Sequence, residues 1–215
     1  MTRKWFFDPL TPLAYNVILC DPPTRFETFT PFESAKGAQY PTMSDAWVRE
    51  LPVLDLAAPD CLIWLWSTMP KLKFSIEAMC GWGFEYVTAG AWHKKTPNGK
   101  TSAGTGFVLQ SSAEVYLIGR RGRPRYQRRP QPGLIETVNQ NDPEYDNNIR
   151  TEIPNVIEAI RRQHSRKPED QYQILDNLIG TAGVRRCELF ARERRDGWES
   201  WGNEVDHFEQ KSGAA

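Results

Sequence analysis

One stretch of the sequence decides the fold: Tyr15-Asn16-Val17-Ile18-Leu19-Cys20-Asp21-Pro22-Pro23. Its first six residues are largely apolar, which predicts a buried strand. The acidic tripeptide follows directly, at the carboxyl end of that strand, where open α/β sheets hold their ligands. Each proline fixes its own φ and lacks an amide N–H, so the segment is rigid and we expect its carbonyl groups to stay free as acceptors.

Such a set of acceptors suits one kind of chemistry. The 6-amino group of adenine is a weak nucleophile because its lone pair is delocalised into the ring. Two acceptors that hold its two N–H bonds would direct that lone pair at an electrophile, and methyl transfer from a sulfonium fits this requirement. The alternative is an ordinary proline-stiffened turn in which Asp21 is only a capping residue.

The rest of the chain alternates between strand-like and helix-like segments. Strands are predicted over Tyr15–Cys20, Cys61–Trp66, Phe84–Trp92, Glu114–Gly119 and Arg186–Ala191. Helices are predicted after the capping residue Ser44, over Met69–Cys80 before Gly81, and over Pro168–Ile179 before Gly180. We read Trp64 and Trp66 as packing residues. This alternation predicts an α/β fold with a mostly parallel sheet and helices on both faces.

The composition narrows the class of protein. A chain of 215 residues with 40% apolar side chains suits one domain, which we place at residues 1–210, followed by a disordered tail at 211–215. Lysine and arginine balance aspartate and glutamate at 27 each, so the chain has no overall cationic field. We find neither a signal peptide nor a membrane span, and expect a cytoplasmic protein.

The cysteines and histidines give no sign of a metal site. The four cysteines, Cys20, Cys61, Cys80 and Cys187, lie far apart and form no C-x-x-C pair, so we interpret them as small buried apolar residues in a reducing compartment. The three histidines are equally scattered, and we predict that no metal is bound.

Three segments resist assignment to regular structure, and binding is expected there. They are Thr24–Thr42, His93–Leu109, and the arginine-rich Arg120–Pro132 with the acidic Gln140–Asn148 after it. Near the carboxyl terminus, Lys167 precedes a helix whose positive end favours a carboxylate. Glu188 lies near the end of a strand, where doubly wound folds place the acid that binds ribose hydroxyls.

Taken together, the motifs resemble one family. They occur in the order Asp21-Pro22-Pro23, Tyr40-Pro41-Thr42-Met43-Ser44, Leu62-Ile63-Trp64-Leu65-Trp66, Gly81-Trp82-Gly83-Phe84, Trp92-His93-Lys94-Lys95, Ser165-Arg166-Lys167-Pro168, Glu188-Leu189-Phe190-Ala191-Arg192 and Trp201-Gly202-Asn203-Glu204. In this the chain resembles the MT-A70 family of S-adenosylmethionine-dependent adenine methyltransferases, from about Tyr15 to Val205. The family includes messenger-RNA adenosine methyltransferases and bacterial and phage enzymes that modify DNA.

The resemblance implies a Rossmann-like methyltransferase fold with motifs in permuted order, and it implies roles for residues. The catalytic residues would be Asp21, Pro22 and Pro23, with Asp21 and the Pro22 carbonyl holding the adenine amine. S-adenosyl-L-methionine would be bound by Cys20, Asp21, Ser165, Lys167, Glu188, Phe190, Arg192, Asn203 and Glu204. The substrate would be contacted by Thr24, Phe26, Tyr40, Lys94, Lys95, Arg120 and Arg121.

One departure from the family pattern leaves alternatives open. The family continues with an aromatic residue after the two prolines, where this chain has Thr24, and Phe26, Phe29 or Tyr40 would have to supply the missing stacking. The leading hypothesis is adenine-N6 methylation of DNA. RNA adenosine methylation and a catalytically silent nucleic-acid-binding protein are the alternatives. Either a monomer or a homodimer is compatible with the sequence.

Overall fold

The computed structural model describes residues 5–24, 42–104, 108–126, 155–163 and 165–208 of the chain. In chain order, the elements are β1 (Tyr15–Cys20), α1 (Asp45–Arg49), β2 (Ala57–Ser67), α2 (Leu72–Gly81), β3 (Glu85–Lys95), β4 (Ala113–Arg121), β5 (Val156–Ile160), α3 (Asp170–Ile179), β6 (Arg186–Leu189) and β7 (Glu199–Trp201). Short 3-10 helices at Val53–Leu56 and Met69–Lys71 lead into β2 and α2.

The strands form one seven-stranded sheet in the order β5-β3-β4-β2-β1-β6-β7. Strands β2, β1, β6 and β7 pair in parallel, as do β3 and β5, whereas β4 is antiparallel to both β2 and β3. The sheet is therefore mixed, because β4 runs against the other six strands. An antiparallel strand needs no crossover helix, and β4 follows β3 without one.

This reversal decides which residues meet at each edge of the sheet. The carboxyl ends of the six co-directional strands lie at one edge, and β4 brings its first residues to that same edge, with Ala113 opposite His93 and Val115 opposite Ser67. The last residues of β4 lie at the other edge, where Arg120 pairs with Leu62 and Arg121 with Cys61. Glu114 thus lies at the edge that holds Asp21.

Two apolar layers cover the sheet, one on each face. On one face, α1 and α2 pack through Val48, Phe74, Ala78 and Met79 against the strand residues Ile18, Cys20, Ile63 and Leu65. On the other face, α3 packs through Tyr172, Leu175 and Leu178 against Val17, Leu19, Leu62, Trp64 and Trp66. Successive strand residues alternate between the two layers, as the period of a strand requires. The prediction of helices on both faces is confirmed.

The predicted elements are present, with some differences at their ends. Strand β1 has the predicted bounds, and the hydroxyl of Ser44 caps α1 by accepting a hydrogen bond from the Trp47 amide at 3.2 Å. Helix α2 extends through Gly81 instead of ending before it. Strands β5 and β7 were not predicted, because they have only five and three residues and lie at the two borders of the sheet.

The cysteines divide into two groups. Cys20, Cys61 and Cys187 are buried as predicted, whereas Cys80 is exposed on α2, so the prediction was wrong for that residue. In the part of the chain that the structure describes, no three His, Cys, Asp or Glu side chains gather closely enough to hold a metal ion. Nor does any described helix have the length and apolar character needed to cross a membrane.

Candidate active site

Asp21 lies where β1 ends, beside the end of β6. Its amide donates a hydrogen bond to the carbonyl of Leu189 at 3.4 Å, which fixes the segment against the neighbouring strand. Its side chain is 30% exposed, so the carboxylate is accessible but largely withdrawn from water. The strand pairing of β1 with β6 thus places Asp21 next to the segment that carries Glu188.

Contrary to our expectation, neither proline carbonyl is entirely free, because each already accepts one hydrogen bond. The Pro22 carbonyl accepts a hydrogen bond from the Thr24 amide at 2.8 Å, and the Pro23 carbonyl accepts one from Met43 at 2.8 Å. The proline turn closes on itself and binds the segment before α1, which satisfies one lone pair of each oxygen. Each carbonyl oxygen keeps a second lone pair for another donor.

A chain of alternating charges extends from Asp21 across the sheet edge. The Lys167 ammonium lies 2.8 Å from Asp21 Oδ2 and 3.1 Å from Glu114 Oε2. The other oxygen of Glu114 lies 2.5 Å from the ammonium of Lys94. Lys167, Glu114 and Lys94 are at least four-fifths buried, so water screens these contacts weakly.

This chain of alternating charges controls the protonation of the carboxylates within it. Burial raises the pKa of Glu114, but the ammonium groups of Lys167 and Lys94 outweigh burial and lower it to about 2. Burial also raises the pKa of Asp21, and there Lys167 offsets the increase only in part, with Glu114 adding to it. Lys167 is therefore the main group that favours the ionised form of Asp21, and Arg192 adds a smaller effect of the same sign.

A second carboxylate, Glu188, faces the site from β6. The Tyr172 hydroxyl of α3 donates a hydrogen bond to Glu188 Oε2 at 2.9 Å. The guanidinium of Arg195 lies over the Tyr172 ring, 3.9 Å from its centroid. Burial raises the pKa of Glu188 to about 7, against the lowering effects of Tyr172 and Arg195.

The loop after β6 holds its side chains in a constrained geometry. Phe190 in this loop and Ser165, which precedes α3, both adopt a positive φ, at 63° and 64°, a region that costs free energy for residues other than glycine. The Phe190 ring packs edge-on against Trp201 and Trp47. Close by, Arg192 Nε lies 2.9 Å from Glu204 Oε2, which links this loop to the chain that follows β7.

These groups enclose one cavity. Its empty volume, including the solvent at its mouth, is about 400 Å³. Of the residues that we predicted for the site, the structure brings together Asp21, Ser165, Lys167, Glu188, Phe190 and Arg192. The remaining lining residues are Leu19, Trp66, Arg166, Gln171, Tyr172, Glu193 and Phe208.

Other predicted residues lie outside this lining. The Cys20 side chain is fully buried in the core, and Asn203 is exposed. Glu204 does not line the cavity, but its carboxylate pairs with Arg192, which does. Pro22 and Pro23 border the site as the turn after Asp21. Lys94 and Lys95 lie at the same sheet edge, where Lys95 Nζ pairs with Glu158 at 3.2 Å.

Arg120 and Arg121 lie at the opposite edge of the sheet from Asp21, and their contact with the substrate stays a prediction. Arg120 forms a bidentate pair with Glu85, with nitrogen-to-oxygen distances of 2.9 and 3.0 Å. Arg121 donates to the carbonyl of Ala57 at 2.8 Å. Both arginines belong to the far end of β4 because that strand is antiparallel, which the sequence did not reveal.

The expected base-stacking residues Phe26 and Tyr40 lie outside the described residues. So do the rest of the segment from 25 to 41, the end of the arginine-rich segment from 127 to 132, and the acidic segment Gln140–Asn148. The predicted tail at 211–215 also lies outside them. Thr24 itself is described, and it forms an isolated parallel bridge with Met43. Its small side chain is half-buried beside the proline turn.

Sequence reasoning missed several residues of the site. Glu114 is the most important of the missed residues. It is an acid near the start of an otherwise apolar strand, and that pattern could have indicated its role. We read Trp66 as a packing residue, and the structure shows that it both packs against α3 and lines the cavity. Gln171, Tyr172 and Phe208 gave no signal beyond ordinary helix or loop residues.

Comparison with known proteins agrees with this geometry. The sequence profile of the MT-A70 family matches residues 15–204, which is most of the chain and includes every described residue of the sheet. The chain belongs to the MT-A70 family. Membership implies the Rossmann-like methyltransferase fold, and the described sheet with helices on both faces agrees with it.

The individual relatives of this MT-A70 member carry the names of methyltransferases. The chain is 30% identical to the type II methyltransferase M.MunI of Mycoplasma sp, over 93% of this chain and 81% of that protein. It is 31% identical to an N(6)-adenosine-methyltransferase MT-A70-like protein of Arabidopsis thaliana, over 90% of this chain but 24% of that protein. It is 29% identical to the N(6)-adenine-specific methyltransferase METTL4 of Mus musculus, over 91% of this chain and 38% of that protein.

The cavity suits the methyl donor that MT-A70 enzymes use. S-adenosylmethionine carries a carboxylate, an ammonium, a sulfonium and ribose hydroxyls, and it therefore needs both acidic and basic partners. The lining provides acids in Asp21 and Glu188, and bases in Lys167, Arg166 and Arg192. The side chains of Phe190, Tyr172, Trp66 and Phe208 add apolar surface for the adenosine part. The residues present fit this group.

Proposed function

We propose that this chain is an adenine-N6 methyltransferase that acts on DNA, with S-adenosylmethionine as methyl donor. The observation that supports this most is the shared cavity: Asp21 and Glu188, on the neighbouring strands β1 and β6, line it together. One acid is thereby available for the adenine amine and the other for the donor's ribose. The permuted motif order and a single domain over residues 1–210 are part of this proposal.

When bound, S-adenosylmethionine supplies an electrophilic methyl group on a sulfonium. In our proposal Glu188 accepts hydrogen bonds from the ribose hydroxyls, as acids at this position do in nucleotide-binding sheets. Lys167 pairs with the carboxylate of the donor, and Arg192 with its partner Glu204 borders the ribose region. Phe190, held in its strained conformation, provides an apolar wall.

Asp21 acts on the adenine amine. Its carboxylate accepts one N–H of the 6-amino group, and the second lone pair of the Pro22 carbonyl accepts the other. The nitrogen lone pair is then directed away from both acceptors, and a fixed orientation of this kind accounts for a large share of catalysis in group transfer. The extra proton of the methylated nitrogen is lost afterwards to solvent, and no covalent intermediate with the protein forms.

DNA is favoured over RNA because the DNA enzyme M.MunI matches over most of its own length, whereas the plant adenosine methyltransferase matches over a quarter of its length. A base in duplex DNA must leave the stack before Asp21 can reach it. Lys94 and Lys95, at the same sheet edge, would lie beside the flipped base. A silent nucleic-acid-binding protein is the third candidate, and Thr24 is the observation that favours it.

The three candidates are separated by nucleoside mass spectrometry of cells that express the protein. We expect N6-methyldeoxyadenosine in DNA above the level of cells that carry an empty vector. N6-methyladenosine confined to RNA would support the second candidate. Neither modification, with nucleic-acid binding retained by the purified protein, would support the third and contradict the proposal.

Replacement of Thr24 by tryptophan tests whether the missing aromatic matters. Stacking of a base on an aromatic ring is worth ~1–3 kcal/mol. We therefore expect Thr24→Trp to keep or raise kcat/KM on adenine-containing DNA, by up to about two orders of magnitude. The measurement is initial-rate kinetics, with Thr24→Val as the control for loss of the hydroxyl, because valine has the shape of threonine. A large loss with tryptophan would show that the pocket is built around the smaller side chain.

A further inference from the structure

Gln171 is a buried polar residue in the cavity wall that none of the roles above uses. It belongs to the first turn of α3, it is 2% exposed, and it lines the same cavity as Asp21 and Lys167. The indole N–H of Trp66, on β2, donates a hydrogen bond to Gln171 Oε1 at 2.6 Å. A short contact between two buried groups holds both side chains in one orientation.

This contact fixes which end of the amide faces the cavity. The indole nitrogen can only donate, so the Gln171 atom that meets it must be the oxygen. The amide NH₂ is consequently turned away from Trp66. Its two N–H bonds make no hydrogen bond to any residue that the structure describes, although a buried amide usually satisfies its donors.

The Gln171 amide and the Lys167 ammonium lie around the same indole. Lys167 Nζ is 5.5 Å from the centroid of the Trp66 ring, and Gln171 binds the nitrogen of that ring. A cation and a neutral donor therefore both border this indole in the wall of the cavity. Lys167 is already shared between Asp21 and Glu114, so a third carboxylate placed there needs additional donors.

We propose that the Gln171 NH₂ group, together with Lys167, binds the carboxylate of the methionine part of S-adenosylmethionine. This rests on the proposed function. Among the groups at the methionine end, only the carboxylate is purely an acceptor, whereas the ammonium is a donor that Asp21 attracts. A neutral amide also supplies donors without adding a second cation that would compete for Asp21.

The test compares two ligands by isothermal titration calorimetry. S-adenosylhomocysteine has the amino-acid part, and 5′-methylthioadenosine lacks it. Gln171→Glu keeps an acceptor for Trp66 but removes the NH₂ donors. We expect it to bind S-adenosylhomocysteine about tenfold or more weakly than the parent, as for a lost hydrogen bond to a charged group, and to bind 5′-methylthioadenosine as the parent does.

Gln173→Glu is the matched control, because Gln173 is exposed on the same helix and gains the same charge. Gln171→Met is the second variant: it introduces no charge, and we expect the same selective loss. Equal losses on both ligands would show that Gln171 only supports the shape of the cavity, and no loss on S-adenosylhomocysteine would remove it from the site. Either result overturns the inference while leaving the proposed function intact. If the folded parent binds neither ligand, the proposed function fails, and the inference with it.

Discussion

Asp21→Asn is expected to lower the kcat of methyl transfer by about 10³-fold, the upper range for loss of one preorganised electrostatic group. The asparagine has the same shape, but its side-chain oxygen carries no charge, and its NH₂ can face the incoming amine. Lys167 keeps Glu114 as a partner in this variant, so the fold should persist. The measurement is transfer of a radiolabelled methyl group from S-adenosylmethionine to DNA.

Binding of S-adenosylhomocysteine is the control for Asp21→Asn. The variant should bind this product at most about tenfold more weakly than the parent, because only the attraction of Asp21 for the ammonium is lost whereas Lys167 and Glu188 are retained. Turnover equal to that of the parent would refute the role of Asp21. Simultaneous loss of turnover and of ligand binding would instead show that Asp21 maintains the cavity and does not act on the amine.

Lys167→Met is expected to impair both stability and activity. Removal of the ammonium leaves the carboxylates of Asp21 and Glu114 facing each other in a largely buried site. Breaking a fully buried ion pair costs about 3–5 kcal/mol, and we expect about 2 kcal/mol here because Asp21 is partly exposed. Methyl transfer should fall by at least about 10²-fold, since both the orientation of the donor and the charge of Asp21 depend on Lys167.

The stability loss in Lys167→Met should depend on pH. Without the ammonium, burial and the neighbouring Glu114 carboxylate raise the pKa of Asp21 in the folded state further above its unfolded value, whereas Lys94 still counteracts burial at Glu114. Between the unfolded and the folded pKa, the folded state then binds more protons than the unfolded state. The stability of the variant therefore falls as pH rises through that range. Urea unfolding should therefore show a larger deficit relative to the parent at about pH 8 than at about pH 5.

Two further variants serve as a negative control and as a partial rescue for Lys167→Met. Lys73→Met removes a lysine whose side chain is 91% exposed, and it should leave the unfolding free energy nearly unchanged at either pH. Glu114→Gln added to Lys167→Met removes one of the two facing charges and should recover part of the loss. A deficit that is independent of pH, or no recovery, would contradict the account of the charge chain.

The sequence was sufficient to locate the two acids because they end apolar strands. The apolar run before Asp21 and the segment around Glu188 both predict central strands, and the structure pairs them in parallel. Their carboxyl ends consequently meet, as strand direction requires. Lys167 was found through its position before a helix, and it does reach Asp21.

Strand direction was the information that the sequence lacked. A parallel β4 would place Glu114 at the far edge and the arginines near the site, whereas the antiparallel β4 does the reverse. The direction follows from the connection between β3 and β4, and no local pattern in the sequence reports it. Gln171 was missed for a related reason, because its importance comes from Trp66, a partner 105 residues away in the chain.

The central claim is that one cavity between β1, β6 and α3 holds the methyl donor with its sulfur beside Asp21. A crystal structure of the parent with S-adenosylhomocysteine tests it most directly. We predict the ribose on Glu188, the carboxylate at Lys167, and the thioether sulfur facing Asp21. A ligand bound elsewhere on the protein, or a cavity that stays empty at saturating ligand, would contradict the account.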